Sequence, residues 1–360
     1  MPDRIYNFSP GPGTLPQEVL AQAAKDIVNF NDKGIGLIEM SHRSKEFMDV
    51  TDEAMALVRE LLNVPDNFKI LFLQGGASSQ FAMAPMNLLG PGKIGSYLNT
   101  GTWAKKAIKE ANIVAQADVA YSSEENGFNH VPKDGDYTVN PDSEYLYFVS
   151  NNTIYGTQFQ NMPKSDKMLI CDMSSDILSR KFDFSPFGLV FAGAQKNMGP
   201  AGTTVVIVRE DLLDKAPDTV PTMFRYKTHA DKGSMFNTPP CFAIYTVGLV
   251  CKWLKKLGGV EAIEAINKEK AQMLYNAIDS TEFYKGHALV DSRSPMNVTF
   301  NLPTPELESQ FIQEGASFGF DGLKGHRSIG GVRASIYNAF PKQGVIDLVA
   351  FMKEFEKKNG

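Results

Sequence analysis

Alternation is the feature that most constrains this chain. Between residues 69 and 208, short apolar runs of strand length take turns with helical patterns and Gly-rich turns. Lys69–Leu73, Ile94–Leu98, Tyr145–Val149, Met168–Cys171, Leu189–Ala192 and Thr204–Val208 carry the β-branched and aromatic residues that favour strands. A helix from about Ser79 and another over Trp103–Ala111 fall between them. Such alternation predicts an α/β fold, a sheet with helices on both faces. Ligands of these sheets bind beyond the carboxyl ends of the strands. The positions to inspect therefore follow Leu73, Leu98, Ser150, Cys171 and Ala192.

The flanks differ. Asn7–Gly13 is an irregular entry rich in Pro and Gly. Pro16 opens a helical pattern that reaches about Asn31, and a second covers Lys45–Leu62. Past Pro240, helical stretches over Phe242–Leu257 and Val260–Ser280 precede an α+β segment with strands near Asn297–Leu302 and Val332–Ile336. Thr304-Pro305 reads as an N-cap and first helical residue. A last amphipathic helix covers Gln343–Lys358. With 360 residues, 43% of them hydrophobic, the chain can bury a large core. The expected division is a large domain over 16–257 and a smaller one formed by 258–360 with 1–15.

Composition removes several function classes. The net charge is −5 and no single-sign block is present. Nucleic-acid binding would call for a basic patch or stripe. No apolar run reaches the roughly 18 residues of a membrane span. Met1-Pro2-Asp3-Arg4 lacks the apolar stretch of a signal peptide. The three cysteines, Cys171, Cys241 and Cys251, form no CxxC pair, so a reducing, cytoplasmic setting is expected. The five histidines include no HExxH, and no metal site is expected.

Several strand ends carry chemistry. Lys196 follows an apolar strand inside Gly193-Ala194-Gln195-Lys196-Asn197-Met198-Gly199-Pro200-Ala201-Gly202. Small neighbours would let a flat ring approach, and partial burial would supply the neutral amine that a Schiff base needs. By itself the residue reads more readily as a solvated loop lysine. Asp172 ends another apolar strand, where a carboxylate is costly unless paired. A pyridinium nitrogen is one partner; a turn or helix cap is another. Gln74-Gly75-Gly76-Ala77-Ser78 joins a strand to a helix without GK[ST] or GxGxxG, so it suits a phosphate or an ordinary tight turn. Trp103 could stack on a ring or belong to the core. Thr153 could bond a ring substituent or be a plain loop residue. Arg333 alternates with apolar residues in a predicted strand. Two His-Arg pairs, His42-Arg43 and His326-Arg327, stand apart from it. Singly these arginines fit structural salt bridges. Jointly, in an acidic chain, they point to a small substrate with two anionic groups.

These residues lie in longer blocks: Asn7-Phe8-Ser9-Pro10-Gly11-Pro12, Ser41-His42-Arg43-Ser44-Lys45-Glu46-Phe47, the stretch around Lys196, Gly233–Pro240, and Gly325-His326-Arg327 through Arg333–Ala339. The chain resembles the phosphoserine aminotransferase family, a class V branch of the fold-type I pyridoxal phosphate enzymes, over nearly its whole length. The resemblance implies a mostly parallel central sheet flanked by helices, plus a smaller α+β domain. It implies that Lys196 forms the Schiff base and that Asp172 pairs with the pyridine nitrogen. Trp103 would stack on the ring and Thr153 would bond its 3-hydroxyl. Ala77, Ser78 and Gln195 would hold the cofactor phosphate, joined by Asn237 and Thr238 from the partner of a homodimer. Arg333 would bind the substrate α-carboxylate. Arg43, His42, His326 and Arg327 would bind the substrate phosphate, some across the dimer.

The implied reaction moves an amino group between glutamate and 3-phosphohydroxypyruvate, in serine biosynthesis. The one-carbon-longer phosphohydroxythreonine step of pyridoxine synthesis is implied as an extension. Some family members carry an arginine where this chain has Ala77-Ser78, which leaves more of the contact to backbone amides. Two rivals remain. Cysteine desulfuration would want a mobile loop cysteine, and none of the three is placed so. A non-catalytic binder of phosphorylated metabolites gives no reason for Lys196 and Asp172 to sit at strand ends.

Overall fold

The computed structural model describes residues 4–360. Met1, Pro2 and Asp3, on which the signal-peptide and small-domain expectations partly fall, lie outside the described residues. Seven strands build the main sheet: β1 (Phe68–Leu73), β2 (Ile94–Asn99), β3 (Gln116–Ser122), β4 (Ser143–Val149), β5 (Met168–Asp172), β6 (Phe187–Gly193) and β7 (Thr204–Arg209). Their spatial order is β1-β7-β6-β5-β4-β2-β3. β6, β5, β4, β2 and β3 run parallel. β7 is antiparallel to both its neighbours.

Connection length explains the reversal. Only the segment between Gly193 and Thr204 joins β6 to β7. A parallel return needs a crossover of a dozen residues or more, usually a helix. The chain therefore doubles straight back, with Ala194 N–H bonding the Thr203 carbonyl at 3.1 Å. This tight return is the segment that holds Lys196.

Both faces of the sheet are covered, as parallel strands require. Successive residues of β1, β5, β6 and β7 divide between two cores. Ile70, Phe72, Leu169, Cys171, Val190, Val205 and Ile207 pack toward helices α2 (Lys45–Leu62) and α6 (Cys241–Lys256). Leu71, Leu73, Ile170, Leu189, Phe191, Val206 and Val208 face α3 (Gly76–Leu88) and α4 (Thr102–Val114). α2 is set locally. Ser44 caps its N-terminus by accepting from Phe47 N–H, Asn63 closes it in the left-handed region, and its buried residues recur at three- and four-residue spacing. α6 lies against it; a Cβ on Gly248 would stand 3.4 Å from that of Ala54.

A separate cluster joins Phe8 of the N-terminal arm to Leu274 and Ile278 of α7 (Gly259–Asp279), to Val298, Phe300, Val332 and Ala334, and to α8 (Pro305–Ser317) and α9 (Lys342–Asn359). A three-stranded antiparallel sheet, β8 (Lys285–Gly286), β9 (Asn297–Asn301) and β10 (Val332–Ser335), lies in this region. Thr304 caps α8 by accepting from Leu307 N–H, with Pro305 at the first turn. α7 straddles the two regions: Val260 and Ile263 pack in the main core, and its second half packs here. Tyr6–Asn7 pairs with Phe320–Asp321.

Buried amides stitch the regions together beside Lys196. Asn197 donates to the Ile177 carbonyl at 2.5 Å and accepts from Asn338 N–H at 2.9 Å. Asn338 donates to the Leu178 carbonyl and accepts from Asn267. Lys270 donates to the carbonyls of Ile336, Tyr337 and Phe340 and so fixes the turn after β10.

Candidate active site

Asp172, Lys196, Trp103, Thr153 and the glycine-rich turn lie at or just past the carboxyl ends of the main-sheet strands. Asp172 is the last residue of β5 and is buried. Its Oδ1 accepts from Ser174 N–H at 2.9 Å and from the Ser174 hydroxyl at 2.6 Å. That Ser174 hydroxyl also accepts from Gly193 N–H at 3.0 Å, which ties the ends of β5 and β6 together. Asp172 is thus a turn aspartate and a site aspartate at once. Oδ2 takes none of these bonds.

Lys196 is half-buried in the return between β6 and β7. Burial pushes its ammonium below the ordinary value of 10.5, and the Asp172 carboxylate pulls it back up. Burial likewise pushes Asp172 up, and the Lys196 charge opposes. Neutralising either group raises the cost of the other, so the two act as a couple. The N-terminal arm runs across the lysine: Gly13 N–H bonds the Gln195 carbonyl at 2.8 Å. A Cβ at Gly13 would stand 2.7 Å from the Lys196 carbonyl oxygen and 2.8 Å from the Tyr337 ring. Only glycine permits that approach.

Trp103 lies at the start of α4, just past β2, with Lys196 Nζ 5.3 Å from its ring centroid. Its indole N–H donates to Thr153 Oγ1 at 3.1 Å. The Thr153 carbonyl accepts from Arg333 at 3.0 Å, across from β10. Arg333 is buried, and its Nε finds no acceptor. A buried guanidinium without a carboxylate is costly, and an arriving carboxylate would repair that. Burial presses its pKa below the usual arginine value.

The glycine-rich turn behaves as its sequence suggests, with one correction. α3 begins at Gly76 rather than near Ser79. Gly75 and Gly76 both take left-handed φ, 89° and 64°, which places Ala77 and Ser78 in the first turn. Their N–H groups are among those that lack helical partners and attract anions. Gln195 folds back against Gly193.

His326 is partly buried and bonds Ser328 at 2.7 Å, while Arg327 is exposed. Burial lowers the His326 pKa, and the charges of Arg333, Arg327 and Lys106 lower it further. These cations therefore share one field. His42 and Thr238 line a separate groove of about 420 Å³ with Pro239 and Phe242; Lys196 does not line it. His42 Nε2 has no partner, and Arg43 is exposed. Asn237 bonds Gln74 of its own chain at 2.9 Å. That bond sets Asn237 beside the glycine-rich turn, while His42 and Thr238 open onto a groove that Lys196 does not line.

A larger crevice of about 540 Å³ opens elsewhere, lined by Arg180, Asn267 and Arg293 among others. Arg180 is spent on the Phe159 and Gln160 carbonyls and Arg293 on Asp279. Both guanidiniums are thus held through both terminal nitrogens, whereas Arg333 spends only one.

Ser174 and the Gly13 crossing were not singled out in the sequence. The Asp172-Met173-Ser174 spacing carried a signal for Ser174, because an aspartate commonly bonds the backbone two residues on. Nothing local signalled Gly13.

The class-V aminotransferase pattern matches residues 5–348. The chain belongs to the class-V aminotransferase family. The phosphoserine aminotransferase of Desulfotalea psychrophila is 68% identical, over all of this chain and 99% of that one. Among solved structures, the phosphoserine aminotransferase of Bacillus circulans subsp. alkalophilus superposes with a TM-score of 0.97 at 49% identity, covering 99% of each chain. The pyridoxal-phosphate-bound phosphoserine aminotransferase of Trichomonas vaginalis gives 0.93 at 39% identity, over 97% of this chain and all of that one. Within its family the chain stands among the phosphoserine aminotransferases.

The Asp172–Lys196 couple predicts a pH response. The rate at which Lys196 forms a Schiff base with an added aldehyde should rise with pH to a midpoint below 10.5. Asp172→Asn should move that midpoint lower still, because it removes the charge that holds the proton on. Absorbance stopped-flow on the apoprotein reads both, and an upward move would contradict the coupling.

Proposed function

We propose that this chain is a pyridoxal phosphate enzyme that transfers the amino group of glutamate to 3-phosphohydroxypyruvate, giving phosphoserine and 2-oxoglutarate. The observation that carries this reading is the buried Asp172–Lys196 couple beyond adjacent parallel strands, with Arg333 unsatisfied nearby. The residues fit the cofactor. Lys196 is an amine of lowered basicity facing an indole ring, Asp172 keeps one oxygen clear, and α3 offers backbone N–H groups beside two glycines. Lys196 would tether the aldehyde and Asp172 would hold the ring nitrogen. Trp103 would lie on the ring, with Thr153 at its hydroxyl. Ala77, Ser78 and Gln195 would hold the phosphate.

When bound, the pyridinium ring supplies an electron sink for the carbanion at the substrate Cα. The protein's own groups do the rest. Asp172 keeps the ring nitrogen protonated, since a cation beside it relieves the cost of its burial. Arg333, whose Nε lacks an acceptor, would bind the α-carboxylate. The Lys196 amine would take the proton from the substrate Cα and later give one back. A γ-carboxylate and a phosphate can use the same cationic pocket, which lets one site serve both half-reactions.

We further read the working unit as a homodimer with shared sites. His42, Arg43, Asn237 and Thr238 carry family roles in anion binding, yet the groove that His42 and Thr238 line is not lined by Lys196. Exposed Ile38, Met223, Phe224 and Phe236 lie close to them in sequence or space, as an interface between copies would require. The proposal extends to a cytoplasmic location and to the longer phosphohydroxythreonine substrate as a second use of the same site.

Two outcomes are expected. The purified holoenzyme makes phosphoserine from glutamate and 3-phosphohydroxypyruvate. Arg43→Ala and Arg327→Ala each raise KM for phosphoserine about tenfold or more, and KM for alanine far less, because each removes a charge-assisted phosphate contact. Equal effects on both amino acids would remove the phosphate pocket. In a second experiment, inactive Lys196→Ala protein is mixed with Arg43→Ala protein and the subunits are exchanged. Random pairing gives mixed dimers in which one site regains both residues, so phosphoserine activity should exceed the average of the parents. Activity equal to that average would place Arg43 and Lys196 in the same chain's site.

A further inference from the structure

We propose that Lys106 is a further substrate-binding cation of this site, one that favours phosphorylated over unphosphorylated substrates; this rests on the transaminase reading above. Helix α4 presents Trp103 and Lys106 three residues apart, hence on one face. Lys106 Nζ stands 4.6 Å from the Trp103 ring centroid. That ring bonds Thr153, and Thr153 bonds Arg333. Lys106 therefore ends a continuous line of contacts that begins at the carboxylate-binding arginine.

Its charge is uncommitted. The adjacent Lys105 is paired with Glu124 at 2.5 Å, whereas Lys106 has no carboxylate partner among the described residues. α4 has no acidic residue in its first turn to serve as a partner. An anion between Lys106 and His326-Arg327 would supply the counter-charge that Lys106 lacks. Trp103, under the Lys106 ammonium, packs on the same apolar cluster as Ile329 of the His326 loop, and the charges of Arg333, Arg327 and Lys106 each press on His326. A phosphate carries up to two charges at neutral pH and a side-chain carboxylate one, so it gains more from an added point charge. A substrate with no distal anion gains nothing.

The test uses holoenzyme of the wild type, Lys106→Met and Lys106→Arg, with phosphoserine, glutamate and alanine as amino donors. Lys106→Met should lower kcat/KM for phosphoserine about tenfold, chiefly through KM, with a smaller loss for glutamate and the smallest for alanine. Lys106→Arg should recover most of the phosphoserine loss. The cofactor absorbance should match the wild type in all three proteins. Equal losses on phosphoserine and alanine, or a shifted absorbance with no selectivity, would mean that Lys106 only steadies Trp103, and would overturn the proposal. No change on any donor would overturn it too. Failure of the parent reading is distinguishable, because the wild type itself would then not turn over phosphoserine.

Discussion

A carboxylate buried at the end of a buried strand is the constraint on which this molecule turns. Asp172 cannot remain charged there without compensation. Ser174 supplies two donors and Lys196 a neighbouring charge. The lysine is affected in return, since burial lowers its basicity while the carboxylate holds it up. The architecture is what brings them together. β5 and β6 are adjacent and parallel, so their ends emerge side by side. The short return into antiparallel β7 keeps Lys196 close to the sheet edge instead of carrying it away on a crossover helix.

Substrate recognition is built outward from that couple. Arg333 reaches Thr153 across the seam between the two packed regions, and Thr153 reaches Trp103. The seam itself is held by buried amides and by Lys270, groups whose loss would leave unsatisfied partners on both sides. Lys196 is flanked by Ala194 and Met198 of the main core and Arg333 by Val332 and Ala334 of the smaller one, so the seam brings together the two groups that the proposed reaction uses. In an acidic chain, the charges of Arg333, Arg327 and Lys106 around His326 make this edge locally positive, which suits an anion.

Much of this was legible in the sequence where one physical rule dominated. Doubly covered strands must be apolar, so β1, β2 and β4 to β7 could be read from composition. α2 could be read from its helical pattern over Lys45–Leu62, and α8 from Thr304 at its start. β3 could not. It is an edge strand whose residues are largely accessible, and Gln116–Ser122 carries no apolar run. The start of α3 was placed three residues late, because two left-handed glycines look like turn and not helix. Asp172 and Lys196 could be located but not joined, since their neighbourhood depends on strand order. The resemblance of long ordered blocks supplied the roles that spacing alone left open.

The most direct test of the account is covalent. Holoenzyme is reduced with borohydride, digested, and mapped by mass spectrometry for the pyridoxyl label. The account predicts one labelled peptide, modified at Lys196. A label on any other lysine, or no label on protein that binds the cofactor, would contradict it.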